Sequence, residues 1–552
     1  MHLTNIAIKK PTRPQLYLFF FYFFIFVFFL HNSFNYLDPD LGWHLKYGGE
    51  TIKTGQVPSL ETRLYPIEGS KWVDHEWLAN ALMFLIYGKA NYIILSLFFA
   101  CVLLLSFLIL NSWIIAKNKT NKLKTIFLIT LFEGLGIFAI SPHVGVRVQE
   151  FGLLFLLLLL IIIDYYEQTK SKKAPFLLIP LLYFWSCLHG SFLISIFILF
   201  FWFFIKIGIL LVDKLKIKNF FQLEDGKLSI SEICYFLFLA LTAIISTIFT
   251  PYRTKLYSFL SDYTDNFYKT HIQEWLPAFF TPFQYYQIIY TSIAFFIFVL
   301  YLLKIFHLFK QEKKIAIDIW PSALFIVFFT LAFISRRHFP LFFFVTLPFL
   351  IKIVLEQLLN DINKNSFELF AYLKTRIFFF FLFAVYLLTI SMLLLKTNFT
   401  NAPFSSNKFC KNYPCKALEF IKNNQEYASL KIFNNYGWGG YLIWTWPEKK
   451  LFIDGRLPQY KVGEHTYLEE YFDFFNKGKV QKKVSEYQIE AVLLNRNLPK
   501  KRSWFDKVIF WKQKKEEQPK NELKDYLVNN RDWRLIYSDH TSEFYIKNEN
   551  NQ

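Results

Sequence analysis

Carboxylates, imidazoles and indoles are concentrated in one polar segment near the start of the chain. The segment opens with Tyr36-Leu37-Asp38-Pro39-Asp40-Leu41-Gly42-Trp43-His44 and closes with Lys71-Trp72-Val73-Asp74-His75-Glu76-Trp77. A carboxylate such as Asp40 or Asp38 can act as general base on a hydroxyl group. His44, His75 and Glu76 are candidates for shaping the loop and contacting a substrate, and the indoles suit the apolar face of a sugar ring. These residue types predict acid–base chemistry on a hydroxyl group.

Basic residues later in the chain suggest a second chemistry. Arg147 and the pair Arg336-Arg337 can hold a phosphate group by bidentate, charge-assisted hydrogen bonds. The other candidate contact residues are His189, Glu274 and His338. The spacing therefore predicts a ligand or leaving group that carries phosphate.

The elements that carry these residues are long apolar runs. The sequence is 54% hydrophobic with a mean hydropathy of +0.28, which excludes an ordinary soluble enzyme. A bilayer core needs about 20 apolar residues per helix, and the chain predicts an α-helical polytopic membrane domain of about 11 spans over residues 1–396, with 32–92 as its catalytic outer loop. The candidate spans are 16–31, 93–116, 125–140, 149–163, 175–188, 191–212, 231–250, 285–303, 316–335, 339–356 and 376–396.

The net charge of +19 indicates topology rather than a nucleic-acid partner, because the lysines fall in short loops between apolar runs. If the first helix is uncleaved and the N-terminus is cytoplasmic, the lysine-rich loops lie inside. An odd number of spans then places loop 32–92 and everything after residue 396 outside. The polar candidates all fall at that outer face, where ionisable groups tend to point into a hydrated cavity or pair with one another.

Residues 397–552 change to a mixed, charged composition and predict an extracytoplasmic α/β domain. Helices are expected at 416–424 and 467–475, and strands at 430–433, 441–446, 451–453, 491–494 and 535–537. Asp454-Gly455-Arg456 reads as a turn that exposes one acid and one base, either a structural hairpin or a contact with an acceptor. Cys410 and Cys415 are either a disulfide or two free thiols.

Simpler explanations exist for each feature. Asp38 and Asp40 flank a proline and can cap the following helix. Tryptophans are common interfacial anchors, the arginines can snorkel, and His189 alone is more often structural. Asp38 and Asp40 also suit a hard cation such as Mg²⁺ or Mn²⁺. The concentration of these groups on one side favours a site over independent causes.

The acidic motif after the first helix resembles that of the GT-C glycosyltransferases, the multi-spanning family that includes polyprenyl-phosphate-sugar-dependent transferases and oligosaccharyltransferases. In that family a Gly and Pro segment follows the motif, here Gly55-Gln56-Val57-Pro58. The match gives Asp40 the family's catalytic aspartate role. The family's next residue is usually Glu, whereas Leu41 follows here and Asp38 lies two residues earlier, so either aspartate remains a candidate base. Residues 434–442 and 452–456 also resemble uncharacterised bacterial members.

The resemblance implies a GT-C-like membrane glycosyltransferase of the cytoplasmic membrane that uses a polyprenyl-phosphate-linked sugar donor and a glycan, lipid or protein acceptor. It implies no obligatory metal, because relatives with monophosphate lipid donors manage without one, while the oligosaccharyltransferase branch uses one. Asp454 and Arg456 are expected to contact the acceptor. A flippase or transporter of lipid-linked glycan and a catalytically silent assembly protein remain alternatives.

Overall fold

The computed structural model describes residues 13–118, 122–214, 221–223, 228–264, 266–280, 283–311, 315–358, 381, 383–496 and 521–548. Apolar helices dominate as far as residue 396, and short helices around a small sheet follow. The helices are α1 (Arg13–Ser33), α2 (Leu41–Thr54), α3 (Trp77–Lys117), α4 (Lys122–Ile140), α5 (Gln149–Thr169), α6 (Leu178–Leu188), α7 (Phe192–Lys214), α8 (Ile230–Ser246), α9 (Lys255–Ser261), α10 (Asn266–His271), α11 (Tyr285–Lys310), α12 (Ile319–Ile334), α13 (Phe339–Lys352), α14 (Phe383–Lys396), α15 (Cys415–Lys422), α16 (Gln425–Ser429), α17 (Gly439–Thr445), α18 (Tyr467–Asp473), α19 (Val480–Glu486) and α20 (Glu522–Asn529).

Helices lie at all eleven predicted segments, over the parts of them that are described. By length and composition, 8 of the described helices can cross a membrane, and 3 further apolar helices are shorter, at 174–188, 319–334 and 383–396. Helix α3 has 41 residues and is broken at Asn91, where φ is 73°. Its length of about 60 Å at 1.5 Å per residue far exceeds one bilayer core. The break lies close to the point where the chain passes from one compact unit to the other, since Tyr92 and Ile93 belong to different units.

The chain divides into two compact units. Unit 1 contains Met1–Tyr36, Ile93–Thr254 and Thr270–Phe399, and unit 2 contains Leu37–Tyr92, Lys255–Lys269 and Thr400–Gln552. Unit 1 holds most of the apolar helices and a short parallel pair of strands, β1 (Phe221–Leu223) and β2 (Ile315–Ile317). Unit 2 therefore combines the polar segment after α1 with the C-terminal residues.

Unit 2 is built on a four-stranded mixed sheet in the order β3-β6-β8-β7. The pair β3–β6 is parallel, and the pairs β6–β8 and β8–β7 are antiparallel. A disulfide joins Cys410 to Cys415. The strands of unit 2 are β3 (Ile432–Asn434), β4 (Lys461–Val462), β5 (His465–Thr466), β6 (Ala491–Asn495), β7 (Trp533–Ser538) and β8 (Ser542–Lys547).

Two of the strand predictions in unit 2 are wrong, and strand β8 was not predicted. The apolar run 441–446 belongs to helix α17, since a short buried helix and a buried strand share the same continuous apolar pattern. The run 451–453 joins no sheet: Leu451 exchanges hydrogen bonds with Arg63 and Tyr65. The two residues after Leu451 are held by Asn434. Its side chain accepts a hydrogen bond from the N–H of Phe452 at 2.9 Å and donates one to the carbonyl of Ile453 at 2.9 Å.

Candidate functional site

Asp40 lies at the N-cap position of α2, yet its side chain forms no capping hydrogen bond. Its Oδ1 instead accepts a hydrogen bond from the indole Nε1–H of Trp43 at 2.9 Å. The Oδ1 of Asp38 accepts from the backbone N–H of Asp40 at 2.7 Å, which fixes the turn that enters the helix. Both aspartates are half-buried. The explanation that Asp40 caps the helix is therefore wrong. Its carboxylate is held by the side chain of Trp43 and is partly exposed to solvent.

Glycines bring three separate motifs of unit 2 into contact around Asp40. A Cβ atom on Gly42 would lie 2.0 Å from the carbonyl oxygen of Gly440, and one on Gly440 would lie 2.2 Å from the carbonyl oxygen of Pro39. A Cβ atom on Gly455 would lie 2.3 Å from Oδ1 of Asp40. At positions 42 and 440 the neighbouring atom is a backbone oxygen, so only glycine permits these two approaches. Helix α17 and the turn at Gly455 thus pack directly on the Asp40 segment.

The Gly440→Ala substitution is expected to destabilise unit 2, because the added methyl group would overlap a backbone oxygen that cannot turn away. Overpacking of this kind costs about 1–3 kcal/mol. Gly437→Ala is the matched control in the same motif, since the nearest atom to its Cβ would be 3.6 Å away. Thermal unfolding of the two variants measures the difference, and equal Tm values would contradict the close packing.

Asp454 and Arg456 form the centre of a buried charge cluster. The Arg456 side chain donates to Oδ2 of Asp454 from Nε at 2.8 Å and from Nη2 at 2.6 Å. Its Nη1 lies 2.9 Å from Oε2 of Glu61, and the three side chains are at most 1% exposed. The expectation that this turn exposes an acid and a base is wrong, because Glu61 comes from a distant segment of unit 2 and covers the arginine. A contact with an acceptor remains a prediction.

Aromatic rings complete the surroundings of Arg456. Its guanidinium lies 4.4 Å from the ring centroid of Tyr47 and 4.6 Å from that of Trp72. Burial by itself would lower the pKa of Arg456, but the carboxylate of Asp454 outweighs burial and raises the pKa well above its ordinary value. Arg456 therefore remains charged and joins α2, the Glu61 segment and the 454–456 turn.

A chain of polar side chains runs from His44 into the interior of unit 2. The ring Nδ1 of His44 lies 2.6 Å from Oδ1 of Asn80, and the Asn80 amide nitrogen donates to both oxygens of Asp74 at 2.8 and 2.9 Å. With the amide oriented this way its oxygen is an acceptor, so Nδ1 of His44 carries the proton. Glu76 lies beside the chain, with Oε2 3.9 Å from His44 Nδ1 and Oε1 3.5 Å from His75 Nε2. These contacts orient the imidazole of His44 one turn from Asp40.

Asp74 is expected to make the stability of the protein depend on pH. Burial raises the pKa of Asp74 from 3.8 to about 6, although the hydrogen bonds from Asn80 oppose this. The folded state then holds a proton that the unfolded state releases, so stability falls as pH rises from about 4 to about 6, by about 1.4 kcal/mol per pH unit.

The Asp74→Asn variant should not show this decline, and the difference in Tm between wild type and variant should become constant above about pH 7, where Asp74 has lost its proton in both states. The exposed substitution Glu464→Gln serves as control. A wild-type profile parallel to that of Asp74→Asn between pH 4 and 6 would contradict the prediction.

In unit 1, two of the predicted phosphate-binding arginines share one carboxylate. Glu274 Oε1 accepts from Nη2 of Arg147 at 2.8 Å, and its Oε2 lies 3.5 Å from Nη1 of Arg337. Burial would raise the pKa of Glu274, but the charges of Arg147 and Arg337 outweigh it and lower the pKa to about 2. Arg337 also lies 5.2 Å from the ring centroid of Trp275. Arg147, Arg337 and Glu274 together form the arginine cluster of unit 1.

Arg336 has a different position from Arg337. Its side chain is 4% exposed and donates to the carbonyl oxygens of Leu276, Pro277 and Phe280 at 3.1 to 3.2 Å. These bonds give Arg336 a structural role in holding the loop after Glu274. The ring of His338 lies 5.6 Å from that of Trp275, at the border of the arginine cluster.

His189 lies between α6 and α7 and is engaged by its own turn. Its Nδ1 accepts from the backbone N–H of Ser191 at 3.1 Å and lies 2.7 Å from the Ser191 hydroxyl. Trp185 donates to the same hydroxyl at 2.9 Å. These contacts fit the simpler explanation of a structural histidine, and a contact of His189 with substrate remains a prediction.

The structure thus divides the predicted residues into two clusters. Unit 2 contains Asp38, Asp40, His44, His75, Glu76, Asp454 and Arg456, and unit 1 contains Arg147, Glu274, Arg337 and His338. Sequence reasoning missed Glu61 and Asn80, whose isolated positions give no signal. It also missed Glu133, although an acidic residue inside an apolar run is a recognisable signal.

Asp38 and Asp40 do not form a metal-binding group with their neighbours. Each has one oxygen engaged in a hydrogen bond, and the described part of the chain contains no group of three His, Cys, Asp or Glu side chains able to hold a metal ion. We derive no step through a metal, and independence from Mg²⁺ and Mn²⁺ remains a prediction.

Among comparisons with known proteins, only the comparison with solved structures gives a match. No protein-family model matches the chain, and no curated protein matches it. Among solved structures, the chain is similar to the crystal structure of the Archaeoglobus fulgidus oligosaccharyltransferase in the apo form, with a TM-score of 0.49 and 11% sequence identity. The match covers 87% of this chain and 69% of that chain.

Proposed function

We propose that this protein is a membrane glycosyltransferase of GT-C type that moves a sugar from a polyprenyl-phosphate-linked donor to an extracytoplasmic acceptor. The observation that carries the proposal is the carboxylate of Asp40, which is half-buried, held by Trp43 and not used to cap its helix. The N-terminus lies in the cytoplasm and residues 397–552 lie outside. The acceptor is a glycan, a lipid or a protein.

Asp40 acts as the general base. Its carboxylate takes the proton from the acceptor hydroxyl while the oxygen forms a bond to the anomeric carbon of the sugar, and the bond from that carbon to the lipid phosphate breaks. The hydrogen bond from Trp43 stabilises the ionised, proton-accepting form of the carboxylate and fixes its orientation. His44, whose orientation is set by Asn80, supplies a polar group one turn away. Such positioned proton transfer accelerates reactions about 10²–10⁴-fold.

The arginine cluster supports an anionic ligand on independent grounds. Arg147 and Arg337 are 14% and 29% exposed, and both contact the carboxylate of Glu274. Guanidinium groups bind phosphate oxygens with charge-assisted hydrogen bonds. We therefore retain Arg147 and Arg337 as phosphate-binding residues and assign Arg336 a positioning role.

Replacing Arg337 by glutamine is expected to raise the KM for the donor about tenfold or more, because one charge-assisted hydrogen bond to phosphate is lost. The value of kcat should change less. Arg253→Gln, which alters an exposed arginine of the same unit, should leave both constants unchanged. Steady-state kinetics with varied donor concentration measure the effect, and an unchanged KM would remove Arg337 from the binding site.

The proposed function is tested by incubating purified protein, reconstituted in sealed proteoliposomes, with a panel of radiolabelled polyprenyl-phosphate and polyprenyl-diphosphate sugars. A cell-envelope extract supplies acceptors, and arms with EDTA and with added Mn²⁺ test metal dependence. Transfer of label into the extract with release of the lipid carrier supports the function. Donor that remains intact across the whole panel, or label that crosses the bilayer while still attached to lipid, would overturn it.

A further inference from the structure

Glu133 is an acidic residue inside a helix that is long and apolar enough to cross a membrane. It is the one acidic residue of α4 and is 0% exposed. Within the described ranges, no basic side chain forms an ion pair with it. A carboxylate inside hydrocarbon is costly unless its charge is compensated, and such residues commonly mark functional sites. Its environment therefore has to neutralise it in another way.

The polar groups nearest Glu133 come from neighbouring helices. The Nδ2 of Asn111 in α3 donates to Oε2 of Glu133 at 3.1 Å and to the hydroxyl of Tyr22 in α1 at 3.0 Å. Tyr290 in α11 is within electrostatic reach of Glu133, and its ring packs against that of Phe132 at 6.4 Å. Every one of these partners is uncharged.

Three oxygen atoms in this cluster are buried and have no hydrogen-bond partner among the described residues. They are Oε1 of Glu133, Oδ1 of Asn111 and the hydroxyl oxygen of Tyr290. They belong to three helices, so no single local turn produced them. Buried polar atoms are normally satisfied. Here the carboxylate of Glu133 has one unsatisfied oxygen of its own, and Asn111 and Tyr290 each add another. This is the environment expected for a small, positively charged ligand.

We propose that Glu133, Asn111 and Tyr290 form an intramembrane binding site for a monovalent cation, either Na⁺ or a proton. A cation satisfies the oxygens and cancels the carboxylate charge at once, whereas a bound water molecule would satisfy the oxygens and leave the charge. Among the described residues, the ionisable groups that also face this cluster are the phenols of Tyr17 and Tyr22 in α1 and of Tyr386 in α14. None of them can supply the positive charge.

Thermal unfolding of the full-length protein in nanodiscs tests the proposal, with Glu133→Gln as the neutral variant of similar shape. If Na⁺ is the ligand, NaCl at about 100 times its Kd should raise the wild-type Tm by about 3 °C over choline chloride, with no rise for Glu133→Gln. If the ligand is a proton, the wild-type Tm should fall relative to that of Glu133→Gln as pH rises from 6 to 9, without a Na⁺ effect.

A matched control comes from Glu167, another glutamate of unit 1, whose side chain is 10% exposed. Its Oε2 lies 3.0 Å from Nζ of Lys206, which is 2% exposed. Glu167→Gln should lower the Tm under all conditions, because it removes the carboxylate that pairs with a buried lysine, whereas Glu133→Gln should not lower it at pH 8 without Na⁺. A Tm difference between wild type and Glu133→Gln that depends on neither Na⁺ nor pH would overturn the proposal and leave a neutral, water-filled cluster.

Discussion

Replacing Asp40 by asparagine is expected to lower the rate of sugar transfer about 10²–10⁴-fold while the fold is retained, because the amide cannot accept the proton of the acceptor hydroxyl. The substitution preserves shape, and the asparagine Oδ1 can still accept from the Nε1–H of Trp43, which lies 2.9 Å from Oδ1 of Asp40. The rate of label transfer from the radiolabelled donor and the Tm of both proteins measure the two effects. Equal transfer by wild type and variant would eliminate Asp40 as the base.

Asp38→Asn is the matched control, and it decides between the two aspartates. Asp38 accepts the backbone N–H of Asp40 at 2.7 Å, and an asparagine oxygen can accept the same bond. We therefore expect Asp38→Asn to reduce transfer much less than Asp40→Asn. A larger loss for Asp38→Asn, at an unchanged Tm, would assign the base to Asp38.

Replacing Arg456 by methionine is expected to destabilise unit 2 by about 3–5 kcal/mol, because it leaves the buried carboxylates of Asp454 and Glu61 without their counter-charge. The cation–π contacts with Tyr47 and Trp72 would be lost at the same time. Thermal or chemical unfolding of the full-length protein measures the loss. An unchanged Tm would show that the cluster contributes nothing to stability.

Lys450→Met provides the comparison for the loss of a charge at the surface. Lys450 pairs with Glu68 at 2.6 Å, but both side chains are about half exposed, and surface pairs contribute roughly 0–1 kcal/mol.

Arg456→Met with Asp454→Asn and Glu61→Gln should recover part of the lost stability, since the buried charges are then removed together. The acceptor hypothesis predicts in addition that a stable Arg456 variant binds the acceptor less tightly.

The apolar helices were predictable because their signal is local. Segments such as 149–163 and 285–303 are helical because a continuous apolar run of that length has one structure that satisfies its backbone in a membrane. The strands at 491–494 and 535–537 were also found, since a short apolar run between turn residues signals a strand. The run 441–446 was misassigned because the packing of Gly439 and Gly440 that buries it involves residues far away in the chain.

The candidate site was predictable in its residue types but not in its arrangement. Asp40 and Trp43 are neighbours on one helical turn, so their hydrogen bond follows from spacing. The ion pair between Arg456 and Glu61 joins two segments that no local pattern connects. The different positions of Arg336 and Arg337 depend on carbonyl groups of the loop after Glu274, although the two arginines are adjacent in sequence.

The amino-acid sequence alone determined which segments are apolar helices, where the polar segments interrupt them and which acids and bases are available, because hydropathy and local spacing need no knowledge of partners. Only the tertiary structure decided which charges are neutralised. In the folded protein Arg456 forms ion pairs with Asp454 and Glu61, and Glu274 forms ion pairs with two arginines. The groups around Glu133 are uncharged. The reason is physical: the energy of a charge depends on the distance to its nearest opposite charge and on its burial, and folding sets both.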